Sequence, residues 1–315
     1  MPQPEAAPGE ALVRVQAAGV NFADIMSAAG GYPGTPKPPL IAGREFCGEL
    51  LEAGSHVMGY TQWGAFAEIV AARTNYFWPV PSHWTPQEGA AFPVNYFTAY
   101  LAYWKAGLID RASGDRASGD RASAGMASGG KARVLIHAVA GGVGTAAVQI
   151  GKLLGVETYG TSSSAEKLAR VKELGLDHGI NYRERDYEEA IRELTGGEGV
   201  PVVYDGVGKD TFMGSLDSLK VRGMMVTFGN ASGPVPPFDP LLLSQKGAIF
   251  ITRPTLAHYT SKRDELLELG AELFEVVTSG KVRIEVNQTY ALADAANAHR
   301  DLEARKTTGS TIMLP

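Results

Sequence analysis

A glycine-rich turn joins an apolar strand, predicted over 134–139, to an Ala-rich helix, predicted from Thr145 onward. The turn consists of Ala140, Gly141, Gly142, Val143 and Gly144. Glycines here let the backbone bend tightly, approach a pyrophosphate and pack the helix against the strand. The helix N-terminus then offers free N–H groups and a positive dipole end to phosphates. Strand, turn and helix in this order favour a dinucleotide site over a merely structural turn.

The next strand ends in hydroxyl groups and a lysine, where NAD-binding proteins place an acidic residue for the ribose 2′-hydroxyl. A carboxylate would repel a 2′-phosphate, whereas hydroxyls and an ammonium group would bind it. The pattern predicts NADPH as the cofactor, although Glu166 is adjacent and a serine here also suits helix capping. The candidate ligands are Thr161, Ser162, Ser163 and Lys167.

Strands and helices alternate from the glycine turn to AIFITR, which predicts an α/β fold with a doubly wound parallel sheet. Before the turn, the sequence indicates short strands and loops, then helices that begin after the N-cap candidate Thr85. After AIFITR, a long amphipathic helix, a strand, a helix near Leu292 and a final short strand do not extend the alternation. We therefore expect a second domain of different architecture.

Composition supports a globular protein that acts on small molecules. The 315 residues suffice for two domains, and the 44% hydrophobic content is ordinary. The net charge is −5 and the chain has no long basic run, so its charge pattern does not favour binding to nucleic acid or to an anionic membrane. The single cysteine, Cys47, excludes an intrachain disulfide framework. The N-terminal sequence resembles no secretory signal and no stretch is long enough to span a membrane, so we predict a cytoplasmic protein.

A five-residue repeat, DRASG, occupies 110–124 within a segment of small and charged residues. It has no apolar face to bury, so we predict a mobile surface loop over 110–130. A docking segment is the alternative.

Several motifs together resemble the zinc-independent NADPH:quinone oxidoreductases, the zeta-crystallin-like family of the medium-chain dehydrogenase/reductase superfamily. They are GVNFADIMSAAGGYPG, AGREFCGEL, AAFPVNYFTAY, AVAGGVGTAAVQ, LGLDHGINYRERDY, VVYDGVGKDTF, GMMVTFGNASG and ARKTTGSTIMLP. The resemblance implies a GroES-like, mostly β catalytic domain over 1–104 and 256–315, and a Rossmann domain over 105–255, with a cleft between them.

The resemblance also implies residues of the site. Asn21 and Tyr32 would lie near the nicotinamide as the candidate catalytic pair, where they could hydrogen-bond the acceptor carbonyl. The cofactor would further contact Thr98, Gly142, Val143, Lys167, Tyr182, Phe228, Gly229, Asn230, Ser232 and Arg305. Structural alternatives remain for several of these residues. Asn21 could cap the following helix, Tyr32 and Tyr182 could be packing residues, and Arg305 could pair with Glu303 or Asp301.

The resemblance implies no metal. Zinc alcohol dehydrogenases of the superfamily carry Gly-His-Glu where this chain has Gly43, Arg44 and Glu45, and arginine replaces a neutral nitrogen ligand with a permanent cation. Without a Lewis acid, a quinone or an activated alkene accepts hydride more readily than a simple carbonyl. The proton would then come from solvent.

The chain departs from the family pattern in the catalytic domain. The usual hairpin of strands before ALVRV is absent, and the segment near 49–57 is shorter than usual. Substrate shape is therefore predicted less directly than cofactor binding.

Three functions fit the sequence. The first is NADPH-dependent reduction of quinones by hydride transfer, and the second is reduction of the C=C bond of enones or alkenals. The third, of another class, is NADPH binding with a structural or RNA-binding role. A flat apolar pocket could be lined by Tyr32, Phe46, Trp63 and Tyr96. The apolar edge strand near 248–253 predicts a homodimer.

Overall fold

The structure, a computed structural model, describes residues 3–32, 34–106, 132–259 and 263–315. The repeat and the loop predicted over 110–130 lie outside these ranges. The chain forms two compact units: 1–97 with 257–315 make the first, and 98–256 make the second. The first change of unit thus falls inside a helix, seven residues before the boundary that the sequence suggested.

Thirteen strands are formed by the described residues. They are β1 Glu10–Val20, β2 Glu45–Leu50, β3 His56–Tyr60, β4 Ile69–Arg73, β5 Phe77–Pro79, β6 Arg133–Ile136, β7 Glu157–Ser162, β8 His178–Asn181, β9 Val200–Asp205, β10 Leu219–Thr227, β11 Phe250–Thr252, β12 Val286–Ala291 and β13 Ser310–Leu314. The α-helices are α1 Phe22–Ala28, α2 Pro86–Ala91, α3 Pro93–Lys105, α4 Gly142–Leu153, α5 Ala165–Glu173, α6 Tyr187–Leu194, α7 Phe212–Asp217, α8 Leu241–Gln245, α9 Leu256–Tyr259, α10 Arg263–Thr278 and α11 Ala295–Glu303.

The first unit is built on a mostly antiparallel sheet with the strand order β12-β13-β1-β2-β3-β5, and β4 pairs with β1. Strand β1 pairs antiparallel with three partners, β2, β4 and β13. Its Val13 and Val15 pack with Phe46, Val70 and Phe77 in one core cluster. Alternating apolar residues thus supply one buried face, as period-two strands require.

The segment near 49–57, which we predicted to be shorter than is usual in the family, forms a tight hairpin. Strands β2 and β3 pair antiparallel from Glu45 with Tyr60 to Glu49 with His56. The turn is closed by the N–H of Leu50, which donates to the Ser55 carbonyl, and by the N–H of Gly54, which donates to the Leu50 carbonyl. The shorter connection therefore leaves the pairing of these two strands intact.

The second unit contains six parallel strands in the order β11-β10-β9-β6-β7-β8. Strand β6 is buried along Val134, Leu135 and Ile136, as expected for a parallel strand covered on both faces. Chain order reverses between β6 and β9, the place where doubly wound folds bind their ligands. The predicted α/β fold is confirmed.

The structure corrects several predicted boundaries. Helix α4 begins at Gly142, three residues before the predicted start, so the last glycines of the turn are helical. Helix α8 was not predicted, and the predicted edge strand 248–253 is reduced to β11. Thr85 caps α2 as expected, accepting from the N–H of Glu88 at 3.2 Å. Within the described ranges, no helix combines the length and apolarity needed to cross a bilayer.

Candidate functional site

The glycine turn of the second unit leaves backbone exposed at the start of α4. Gly141 is the N-cap in extended conformation, and Gly141, Gly142 and Val143 are partly exposed. A Cβ on Gly141 would lie 3.4 Å from the Ala138 carbonyl oxygen, an ordinary contact. Steric room for a methyl group therefore remains at Gly141 on the protein side.

Gly144 has a different reason to be glycine. A Cβ at this position would lie 2.5 Å from the Val139 carbonyl oxygen, which is backbone and cannot rotate away. The first turn of α4 thus packs directly on the chain leaving β6. This contact holds the N–H groups of the helix at the end of the central strand, where a pyrophosphate fits.

The two glycines predict separable effects. Gly144→Ala should lower the free energy of unfolding by about 1–3 kcal/mol because the methyl group overpacks a backbone contact. Gly141→Ala should melt near wild type yet bind NADPH more weakly, since we expect its methyl group to crowd a pyrophosphate at the N-terminus of α4. Thermal melting and NADPH fluorescence titration of both variants test this. Equal melting temperatures for the two variants would contradict the steric account.

Strand β7 ends beside the turn, and one residue predicted to bind the 2′-phosphate there contacts another side chain of the protein. The Thr161 side chain is buried and its hydroxyl lies 2.9 Å from His137 Nδ1, so it has a partner within the protein, and its contact with the 2′-phosphate stays a prediction. Its neighbours on β7, from Thr158 to Ser162, are buried as well, because both faces of a parallel strand are covered. His137 is itself buried, which agrees with its interpretation as a core histidine.

The residues after Thr161 remain suited to a phosphate. Ser164 caps α5 by accepting the N–H of Lys167 at 3.3 Å, which places Lys167 in the first helical turn. Ser163 and Lys167 are partly exposed, whereas Ser162 is buried. Tyr182 follows β8 and is tied to β7 by its N–H, which donates to the Ser162 carbonyl. No carboxylate lies between the end of β7 and the start of α5.

The loop after β10 packs on the loop after β9. A Cβ on Gly229 would lie 2.2 Å from the Gly206 carbonyl oxygen, and one on Gly206 would meet the Phe228 ring at 2.8 Å. The Ser232 hydroxyl donates to the Val207 carbonyl at 2.9 Å and accepts from a backbone N–H of the same unit. Two predicted cofactor residues, Gly229 and Ser232, therefore hold the loops together.

Arg253, which the sequence did not single out, fixes the same loop from the end of β11. Its Nη1 donates to Asn230 Oδ1 at 3.0 Å, to the Gly229 carbonyl at 3.1 Å and to Thr227 Oγ1 at 3.1 Å. Only the pairing of β11 with β10 brings this arginine to the loop, so local sequence carried no signal for it.

Asn21 in the first unit is fixed by a buried glutamate. It is the N-cap residue of α1, and its side-chain Nδ2 donates to Glu45 Oε1 at 2.7 Å. The other oxygen of Glu45 accepts the Val94 N–H at 2.7 Å. Burial raises the pKa of Glu45 to about 8, although both hydrogen bonds oppose the shift. The carboxamide of Asn21 is thus held in one orientation.

Arg44 lies buried between two aromatic rings, and only 4% of its surface is exposed. Its guanidinium carbon lies 4.0 Å from the centroid of Tyr32 and 4.7 Å from that of Trp63. Its Nη2 donates to Ser27 Oγ at 2.9 Å, and its Nε lies 3.7 Å from Asp24 Oδ1. The pKa of Asp24 is raised to about 7 by burial, which Arg44 partly counters.

The remaining predicted residues are dispersed. Phe46 and Tyr96 are core residues rather than pocket lining: Phe46 packs edge-on against Phe77, and the Tyr96 hydroxyl donates to a backbone carbonyl. Thr98 is partly exposed on α3. Arg305 is exposed after α11 with φ of 58°, a left-handed conformation.

Comparison with known proteins shows two family matches. Residues 7–82 match the alcohol dehydrogenase GroES-like domain, and 142–253 match the zinc-binding dehydrogenase family. The chain is 38% identical to the quinone oxidoreductase of Pseudomonas aeruginosa, over 99% of this chain and 93% of that protein. The structure of Escherichia coli quinone oxidoreductase complexed with NADPH superposes with a TM-score of 0.89 at 34% identity, covering 100% of this chain and 94% of that one.

The two matched domains, with the parallel six-stranded sheet, define a medium-chain dehydrogenase/reductase. Within that superfamily the chain belongs to the quinone oxidoreductase family, since the identity extends over nearly its whole length. A 2-haloacrylate reductase from Burkholderia is 45% identical over 183 residues, which is 58% of this chain and 55% of that protein.

Proposed function

We propose that this protein reduces quinones by direct hydride transfer from NADPH and needs no zinc. The observation that carries the proposal is the glycine turn beside a strand end that is followed by Ser163 and by Lys167 in the first turn of α5, in a chain of the quinone oxidoreductase family. The solved relative from Escherichia coli binds NADPH.

The second unit offers the groups that NADPH requires. The N–H groups of Gly142 and Val143 suit the pyrophosphate, and Ser162, Ser163, Lys167 and Tyr182 suit the adenosine phosphate. The loop of Phe228, Gly229, Asn230 and Ser232 suits the nicotinamide, and Thr98 and Arg305 stay candidate contacts. When bound, NADPH supplies the hydride.

Arg44 supports a reaction without zinc. It stands where zinc alcohol dehydrogenases carry histidine, and its guanidinium is already held by Ser27, Tyr32 and Trp63. The described residues hold no group of three or more His, Cys, Asp or Glu side chains able to bind a metal. A quinone accepts hydride without a Lewis acid, so orientation and hydrogen bonding suffice.

Asn21 and Tyr32 are proposed to hold the acceptor carbonyl. Glu45 fixes the amide of Asn21, and Arg44 fixes the ring of Tyr32, so both side chains are oriented in advance. Oriented donors stabilise the charge that develops on the carbonyl oxygen as the hydride arrives. Solvent then supplies the proton.

Replacing Asn21 or Tyr32 should lower the turnover of quinones and leave the affinity for NADPH unchanged. Asn21→Ala and Tyr32→Phe should each lower kcat/KM for a quinone about tenfold, the effect of about 1.4 kcal/mol in a charge-assisted hydrogen bond. Gln62→Ala, an exposed position near Trp63, is the control. Wild-type turnover in both variants would remove the assigned role.

A second candidate is reduction of an activated C=C bond. It is favoured by the 45% identity to the 2-haloacrylate reductase, which spans a little over half of this chain. An enone or haloacrylate also presents a carbonyl or carboxylate that Asn21 and Tyr32 could bind while the hydride adds to carbon.

Steady-state NADPH oxidation with a panel of acceptors separates these functions. The panel contains 1,4-benzoquinone, 9,10-phenanthrenequinone, 2-chloroacrylate and a series of alkenals. Higher kcat/KM for quinones supports the first proposal, and turnover of alkenals or chloroacrylate alone establishes the second. Binding of NADPH with no turnover of any acceptor would indicate a protein that binds the nucleotide without reducing a substrate.

We also propose a cytoplasmic homodimer formed through β11. Within the second unit β11 is an edge strand, and its Phe250 is 45% exposed. Leu241, on the preceding helix α8, is 57% exposed. An apolar edge strand can extend its sheet by pairing with a second copy across a two-fold axis.

Charge on that edge should prevent association. Phe250→Glu should give a monomer in light scattering at micromolar concentration, because it buries a carboxylate in the paired edge. Leu153→Glu, at a similarly exposed apolar position on α4, should leave the dimer intact. A monomeric wild-type protein would overturn the proposal.

A further inference from the structure

A buried chain of hydrogen bonds joins three strands of the second unit beneath the glycine turn. His137 follows β6, Thr161 belongs to β7, Asp205 ends β9, and Ser215 lies on α7. The Thr161 hydroxyl lies 2.9 Å from His137 Nδ1, and His137 Nε2 lies 3.1 Å from Ser215 Oγ. Ser215 Oγ then donates to Asp205 Oδ2 at 2.8 Å. All four side chains are buried.

The direction of each bond follows from the Ser215 hydroxyl. Because Ser215 gives its only proton to Asp205, its oxygen must accept from His137 Nε2–H. The neutral imidazole then accepts at Nδ1 from the Thr161 hydroxyl. The chain thus runs from the Thr161 hydroxyl to the Asp205 carboxylate, whose Oδ2 also accepts from Thr211 Oγ1 at 2.7 Å.

Asp205 carries the chain onward to the loop after β9. Its Oδ1 accepts the N–H groups of Val207 at 2.7 Å and Gly208 at 3.0 Å. That loop is the base on which Phe228 and Gly229 pack. The same four side chains therefore fix the end of β7, which leads to Lys167, and the loop proposed to border the nicotinamide.

We propose that four side chains are positioning residues for NADPH: His137, Thr161, Ser215 and Asp205. They set the affinity for NADPH by fixing the end of β7 and the loop after β9 relative to each other. None of them needs to touch the cofactor. The inference rests on the proposed cofactor and is independent of which acceptor is reduced.

Two matched pairs of variants test this. Ser215→Ala breaks the chain, whereas Ser218→Ala removes an equally buried serine at the C-cap of the same helix, whose hydroxyl donates to the Gly214 carbonyl. Thr161→Val removes the first hydroxyl with little change of shape, and Thr161→Ser retains it. The dissociation constant for NADPH is measured by fluorescence, together with the melting temperature.

We expect Ser215→Ala and Thr161→Val to weaken NADPH binding about tenfold, the effect of one lost buried hydrogen bond. Ser218→Ala and Thr161→Ser should stay within about twofold of wild type, even where Ser218→Ala lowers the melting temperature as much as Ser215→Ala does. Equal NADPH affinity in all four variants would overturn the inference while leaving the proposed function in place. If Ser215→Ala fails to fold, the Thr161 pair decides alone. A wild-type protein that does not bind NADPH would overturn both.

Discussion

Arg44→Met should lower the free energy of unfolding at pH 8 by about 3–5 kcal/mol, the range for removing one partner of a buried ion pair, because the remaining Asp24 carboxyl must either stay charged alone or take up a proton. Asp24 is 1% exposed, so water cannot compensate. The variant also removes the donor to Ser27 and the cation between Tyr32 and Trp63. Chemical denaturation at fixed pH measures the loss, and Arg44→Lys, which keeps the charge, should lose less.

The loss should grow with pH. In wild type the pKa of Asp24 rises from its usual value to about 7 on folding. Protonation of this group therefore stabilises the folded protein at low pH, and that stabilisation is lost as the pH rises from the usual pKa to about 7. Without Arg44 that pKa rises further, so the variant keeps losing stability above pH 7 where wild type no longer does. The double variant Asp24→Asn with Arg44→Met should recover much of the deficit at pH 8. An Arg44→Met protein as stable as wild type at pH 8 would contradict the role given to this pair.

Lys167→Ala should weaken NADPH binding by about 10- to 150-fold, the effect of losing a charged hydrogen bond of about 1.5–3 kcal/mol, and leave NADH affinity unchanged. Lys167 lies in the first turn of α5, where the cap from Ser164 places it beside the end of β7. Fluorescence titration with both nucleotides gives the ratio directly.

Lys172→Ala is the matched control, since Lys172 is an exposed lysine in the last turn of the same helix. It should leave both affinities as in wild type. An equal loss of NADPH and NADH affinity in Lys167→Ala would show that this lysine does not read the 2′-phosphate.

The sequence predicted the features that depend on neighbouring residues. Strand, glycine turn and helix are consecutive, so the position of Gly141 and the parallel sheet followed from local pattern. The cap at Ser164 has the same origin, because a side chain three residues before Lys167 accepts its N–H.

Local sequence pattern did not predict the features that depend on contacts between residues distant along the chain. Thr161 was assigned to the ligand because its hydroxyl suits a phosphate, yet its partner His137 lies 24 residues away along the chain. Arg253 and the surroundings of Arg44 are likewise assembled only by strand pairing and loop packing. Which partner a buried side chain meets is set by the packing of distant elements, which composition and spacing do not encode.

The most direct test of the account is the anaerobic reaction of NADPH with 1,4-benzoquinone, catalysed by protein treated with a zinc chelator. One hydroquinone should form for each NADPH consumed, at a rate that chelation does not change. The absence of hydroquinone above the uncatalysed reaction, or activity that disappears on chelation and returns with Zn²⁺, would contradict it.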